Sequence, residues 1–176
     1  LKPFALWAAS ASPTGPPRLC MCCPPPELAP PGTHIPSRDT ATSARRSAQA
    51  AYTMAGMGPD EMEMALIYDS FTITAAITAE MLGLALPGEG HLLWKDGHAA
   101  PGGRLPINTN GGGLSFNHSG MYGMPLLIEA YRQLSGTAED GVNGDPGKQT
   151  SARTCVVNGT GGTLSTTGTL VLVADD

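Results

Sequence analysis

Apolar positions in this chain shift between helical and strand-like spacing from about residue 42 onward. The alanine-rich run ending at Ala55 has high helix propensity, and Thr42 or Ser43 can cap its start. Gly56 or Gly58 can end that helix in the left-handed conformation, with Pro59 just beyond. "EMEMALIY" is an apolar run of strand length. A second helix is predicted from Thr72 to about Leu82, stopped by Gly83. Leu84 to Arg104 is rich in turn residues and reads as a surface excursion. "LPINTN" is a short strand candidate running into a glycine-rich stretch.

From Gly120 to Leu134 apolar residues recur at Met121, Met124, Leu127, Ile128, Tyr131 and Leu134. That spacing predicts an amphipathic helix, ended at Gly136, with Met121 and Met124 packing into the core. "TAEDGVNGDPGKQT" reads as a turn, and "RTCVVN" and "TGTLVLVAD" as two closing strands. Helix, strand, helix, strand, helix, strand, strand is the order of a layered α/β domain with a mixed sheet.

Composition narrows the picture at both ends. Ten of the sixteen prolines lie in the first 36 residues, where missing backbone donors forbid ordinary helix or central strand. Residues 1–31 are therefore expected to be a disordered or non-native arm, and residues 32–176 the folded domain. A start at Leu1 without a secretory pattern reads as a truncated sequence in a reducing cytoplasm. The net charge of −5 argues against a nucleic-acid partner. No apolar run approaches the roughly 18 residues needed to span a bilayer. Cys20, Cys22 and Cys23 lack a second pair at zinc-site spacing, so no metal is expected. Cys155 sits in a strand pattern and reads as core.

"NTNGGGLSFNHSGMYG", from Asn108 to Gly123, carries the candidate chemistry. It is not a dinucleotide fingerprint, because its glycines are consecutive and His118 intervenes before the helix. "GDPGKQT" likewise fails as a P-loop, since Gln149 follows the lysine. Consecutive glycines allow close backbone approach, and His118 just before a helix can take a proton from a thiol. The plainer alternative is a histidine that only caps the helix. Asp69 reads as an N-terminal charge for the helix at Thr72, and Glu80 and Glu129 as solvated helix residues. His34, His91 and His98 are loop histidines with no evident partner.

"YDSFTITAAITAEMLGL", "LPINTNGGGLSFNHSGMYGMPLLIEAYRQLSG" and "VVNGTGGTLS" together resemble the C-terminal half of the thiolase superfamily. The similarity is nearest to its non-decarboxylating members, the acetyl-CoA acetyltransferase and sterol-carrier-protein-like lipid-transfer thiolases. Thiolases carry Asn-Gly-Gly-Ala and then Gly-His-Pro, eight positions from asparagine to histidine, and Asn110 to His118 keeps that interval. The resemblance implies that His118 activates a nucleophilic cysteine, with Asn110, Gly112 and Gly113 in the glycine loop. The family's Asn-Glu-Ala-Phe falls on Tyr68-Asp69-Ser70-Phe71, and the resemblance implies that Tyr68, Asp69 and Phe71 form an active-site wall. A third family position falls on Asn158, ahead of Gly161 and Gly162; asparagine can donate to an oxyanion but is no general base.

The implied fold is one half of a five-layered α-β-α-β-α architecture. The implied activity is acyl transfer between a cysteine thioester and coenzyme A, with a coenzyme A thioester as substrate and no tightly bound cofactor. The family nucleophile belongs to the N-terminal half, so this chain alone is expected to be inactive. The intact protein is expected to be a homodimer. The alternative is a non-catalytic acyl-CoA or lipid-binding protein of thiolase fold that works with a small OB-fold, zinc-ribbon partner.

Overall fold

The first helix, α1 (Ser43–Ala55), begins where the Thr42 hydroxyl accepts from the Ala44 amide, and ends at Gly56 in the left-handed conformation. It is seen in a computed structural model that describes residues 42–117, 122–138, 147–161, 164 and 166–174. The arm 1–31, His34, His118, Met121 and Gly162 lie outside the described residues.

After α1 come a single 3₁₀ turn (Pro59–Glu61), β1 (Met64–Ile67), α2 (Thr72–Met81) and a second 3₁₀ segment (Gly90–Gly97). A four-residue helix α3 (Gly112–Ser115), the longer α4 (Gly123–Leu134), β2 (Thr154–Gly161) and β3 (Thr166–Val173) complete the order. The three strands lie in the order β1-β2-β3, with β1 parallel to β2 and β2 antiparallel to β3. Ile67 is paired with Asn158, and Asn158 with Thr169. The mixed α/β architecture is the one expected from the pattern.

Strand alternation sends neighbouring side chains to opposite faces, and both faces of this sheet are covered. Ala65, Ile67, Val156 and Val171 pack with Ala48, Ala51 and Tyr52 of α1 and Ala79 of α2. Met64, Leu66, Cys155, Val157 and Leu172 pack with Tyr122 and with Leu126 and Ala130 of α4. All four residues of β1 are therefore buried, as strands covered on both faces are.

Three expectations are corrected here. "LPINTN" is not a strand: Ile107 makes one bridge to Ala65, and Asn108 then turns away with φ of 51°. Residues 84–104 are more than a surface excursion, because Leu93 and Ala99 join the core and the Gly90 amide donates to Glu80 at 2.9 Å. That contact also removes Glu80 from the fully solvated class. Third, α4 is rotated from its sequence reading: Leu126, Glu129, Ala130 and Gln133 face inward. Met124 is 59% exposed, and Ile128 and Tyr131 are exposed as well. Polar contacts to Glu129 and Gln133, invisible to a hydrophobic count, decide which side of α4 faces in.

Candidate functional site

The C-terminal ends of parallel strands are the usual place for sites in α/β sheets, and here they gather Tyr68, Asp69, Asn110, Gly112 and Gly113 of the residues picked from sequence. β1 ends at Ile67 and delivers Tyr68 and Asp69 to the edge of the sheet. The amide of Tyr68 donates to the carbonyl of Asn158 at 3.0 Å, which keeps the two parallel strands in step past their last paired residues.

Asp69 is buried. Its Oδ1 accepts from the Gly113 amide at 2.6 Å and its Oδ2 from the Leu114 amide at 3.3 Å. It does not cap α2, as the sequence suggested; Phe71 occupies that position and is exposed. Instead the carboxylate satisfies orphan donors at the start of α3, where an anion is favoured. This explains the glycines. Gly111 and Gly112 have φ of 94° and 68°, and a Cβ on Gly112 would collide with the Asp69 carboxylate.

Asn108 and Asn110 fix the other end of the loop. The Asn108 side chain accepts from the Ile67 amide at 2.8 Å and donates to the Ile67 carbonyl at 2.9 Å. The Asn110 Oδ1 accepts twice, from the Gly112 amide at 3.0 Å and from the Tyr122 hydroxyl at 3.2 Å. With that oxygen held, Nδ2 is left as a donor with no acceptor among the described residues. Between the two asparagines, the Thr109 hydroxyl donates to Glu129 Oε1 at 2.6 Å.

Tyr122 is a site residue that sequence reading missed. It is fully buried, bonds Asn110, and meets Tyr68 edge-on with ring centroids 6.0 Å apart. Burial raises its hydroxyl to about 12, the Asn110 bond opposes that rise, and the charges of Asp69 and Glu129 add to it. Tyr122 therefore stays protonated and donating at neutral pH. Its position four residues after His118 was the available signal, but the helical count passed over it.

Glu129 corrects another expectation. It is 2% exposed rather than solvated, and it accepts from Thr109, from Gln133 Nε2 at 3.0 Å and from Lys148 Nζ at 3.0 Å. Burial alone would raise its carboxyl. The hydrogen bonds from Thr109, Gln133 and Lys148, with the charge of Lys148, outweigh burial and hold it below the usual carboxylate value.

Asn158 lies apart from this cluster. Strand alternation puts its side chain on the α1–α2 face with Val156, and Nδ2 donates to Thr167 Oγ1 at 3.0 Å and Thr169 Oγ1 at 2.8 Å. Its Oδ1 is buried with no partner among the described residues. Gly161 ends β2 and is exposed. Cys155 is buried on the α4 face; burial pushes its thiol up, with the Glu129 charge adding to the effect. A thiol so held is inert as a nucleophile. No cluster of three or more potential metal ligands occurs among the described residues. An open cleft of about 1260 Å³, lined by Arg45, Tyr52, Leu92, His98 and Arg104 among others, holds none of the residues chosen from sequence.

The sequence of residues 33–174 matches the family model described as "Thiolase C-terminal domain-like". The chain belongs to that family. A 17-hydroxy-3-oxo-4-pregnene-20-carboxyl-CoA lyase of Mycobacterium tuberculosis is 39% identical over 93 residues, covering 53% of this chain and 24% of the relative. A steroid side-chain-cleaving aldolase of Thermomonospora curvata is 38% identical over 127 residues, covering 72% of this chain and 30% of the relative. The solved structure titled Ltp2-ChsH2(DUF35) aldolase superposes with a TM-score of 0.67 at 30% identity, over 81% of this chain and 35% of that one. The match thus spans about a quarter to a third of the length of these three proteins. The thiolase-like fold and the thiolase-superfamily reading of the three sequence blocks are borne out. No helix among the described residues is long and apolar enough to cross a membrane.

Proposed function

We propose that this chain is the C-terminal part of a thiolase-fold enzyme that makes or breaks a carbon–carbon bond beside a coenzyme A thioester. The observation that carries the reading is Asn110. Its oxygen is held by two donors, so its NH₂ is left as a fixed donor with no acceptor among the described residues, beside a loop that tolerates no side chain at Gly112. Fixed donors aimed at a developing oxyanion are the largest single contribution in many such reactions. In this reading Asn110 Nδ2 stabilises the thioester oxygen as it takes up negative charge.

For a β-hydroxyacyl thioester the balance is that of a retro-aldol cleavage. A base removes the hydroxyl proton, the Cα–Cβ bond breaks, and its electron pair enters the thioester as an enolate, which is then protonated at Cα. We assign the proton acceptor to His118, which the glycine loop carries in the sequence. The step needs no cysteine nucleophile, and the buried Cys155 offers none. The carbon–carbon lyase and aldolase relatives support this class of chemistry. The second reading is cysteine-dependent acyl transfer, favoured by the eight-residue interval from Asn110 to His118. There His118 would activate a cysteine supplied from outside the described residues.

The test is turnover by the complete protein of a branched β-hydroxyacyl-CoA, followed by mass spectrometry, beside acetoacetyl-CoA with free coenzyme A. Cleavage to a ketone and a shortened acyl-CoA is expected. Asn110→Ala should lower its rate by about 10²–10³, the usual effect of losing an oxyanion donor. An Asn110→Ala protein that works at the wild-type rate would exclude the role assigned to Nδ2, and turnover of acetoacetyl-CoA alone would select acyl transfer.

A further inference from the structure

The glycine loop is gripped from two sides by buried carboxylates, and only one of them, Asp69, stood among the candidate site residues read from sequence. Asp69 holds the Gly113 end at 2.6 Å. Glu129 holds the other end at the same distance through the Thr109 hydroxyl, from the second turn of α4. The two grips differ in kind. Asp69 accepts from amides of the loop itself, whereas Glu129 belongs to a network that extends away from the strand ends.

That network is continuous. Glu129 Oε1 also accepts from Gln133 Nε2, and Oε2 accepts from Lys148. Gln133 Nε2 donates further to the Lys148 carbonyl at 2.7 Å, and Gln133 Oε1 accepts from the Thr150 amide at 2.8 Å. Gln149 Nε2 returns to the Gln133 carbonyl at 2.8 Å. Three segments distant in sequence therefore converge on one buried charge: the loop at Thr109, the middle of α4, and residues 148–150 before β2. Burying a carboxylate is costly unless it is paired and hydrogen-bonded. An apolar residue at position 129 could fill the same space against the sheet without that cost, so packing alone does not account for a charge here.

We propose that Glu129 is a positioning residue for the site, acting through Thr109 to hold the Asn108–Gly113 loop so that the Asn110 amide keeps its orientation. Thr109 stands between Asn108, which is bonded to Ile67 on both its polar atoms, and Asn110, which is bonded to Tyr122. Fixing the residue between them removes the freedom of the loop to pivot about Asn108. A charged acceptor makes the Thr109 hydrogen bond shorter and stronger than a neutral one. The positioning of the loop rests on the geometry above; its effect on catalysis rests on the function proposed for Asn110.

The experiment uses the complete protein and two variants, Glu129→Gln and Thr109→Val. Hydrogen exchange of the Gly112, Gly113 and Leu114 amides should speed up about tenfold in either variant, the effect of losing one charge-assisted hydrogen bond. Exchange in α1, on the opposite face of the sheet, should stay within about twofold, as expected for a site that shares no partner with the network. The double variant should exchange no faster than the faster single one. With a branched β-hydroxyacyl-CoA as probe, kcat should fall about tenfold while KM holds, the signature of an interaction that matters in the transition state. Uniform acceleration across the protein, or an unchanged loop, would overturn the proposal. Should Glu129→Gln fail to fold, Thr109→Val carries the same readout. A wild-type protein without turnover would remove the proposed reaction and leave the exchange result to decide the positioning role.

Discussion

Helices α1 and α4 cover opposite faces of the same sheet and attach to it by opposite means. α1 presents small residues, Ala44, Ser47, Ala48 and Ala51, and lies close against β3 with Tyr52 at its end. Its polar contacts include the Ser43 hydroxyl, which donates to the Leu164 carbonyl, and the Tyr52 hydroxyl, which donates to the Leu82 carbonyl. α4 places Leu126 and Ala130 against the sheet but fills the rest of its inner face with Glu129 and Gln133. Its large apolar residues Met124, Ile128 and Tyr131 face outward. The lesson is that packing makes α1 a scaffold, whereas directed bonds make α4 a locating element. Apolar contacts permit small slips at little cost, and hydrogen bonds to a buried charge do not.

Substitutions that separate packing from location test this contrast. The largest effect is expected from Glu129→Ala, which leaves Thr109 and the partly exposed Lys148 without their acceptor. It should lower unfolding free energy by about 3 kcal/mol, the lower end for breaking a buried pair because Lys148 retains some solvent. Urea denaturation measures it, and a loss below about 1 kcal/mol would place the pair with weak surface bridges. Acid should expose the same difference. A carboxyl held below its unfolded value, near about 4.3, adds stability above that pH and loses it as pH falls through the folded value. The melting temperature of the wild type should therefore drop more steeply than that of Glu129→Gln as pH falls below about 4.3. Parallel slopes would show that the charge is not linked to folding.

On the α1 side the effects should be smaller. Tyr52→Phe removes one neutral hydrogen bond to Leu82 and should cost about 1 kcal/mol by the same denaturation measurement. A loss as large as that of Glu129→Ala would erase the distinction between the two helices. Smallest of all, Ser47→Ala deletes a buried hydroxyl that has no partner among the described residues, and should be neutral or stabilising by up to about 1 kcal/mol. A destabilised Ser47→Ala protein would mean that the α1 face contains a polar contact of its own.

How legible this was in the sequence differs along the chain. The helix α1 was read from its alanines and terminal glycine, and α2 from Thr72 and Gly83, because these signals are local. Strands β2 and β3 were likewise visible as apolar runs around the glycines near 159–162. The inner face of α4 was not. Met124, Ile128 and Tyr131 satisfy a helical period as well as Leu126 and Ala130 do, and only tertiary bonding to Glu129 chooses between them. The same holds at the site. Consecutive glycines announced close backbone approach, but not that Asp69, more than forty residues earlier, would be what approached. Tyr122 was passed over because its value lies in a hydrogen bond to Asn110 that no spacing rule encodes.

The side chain of Asn108 has a consequence beyond the site. At Ala65 the outer edge of β1 is used by the Pro106 carbonyl and the Asn108 amide, and two residues later the Asn108 side chain meets both polar groups of Ile67. One carboxamide thus imitates the peptide group of a further strand. An edge with free donors and acceptors invites another chain to add itself. Here that invitation is withdrawn: growth of the sheet stops at Ile67, where an incoming strand would have to displace a side chain that is also anchoring the glycine loop. The group that occupies this edge of the sheet and the footing of the candidate site are, at this position, a single residue.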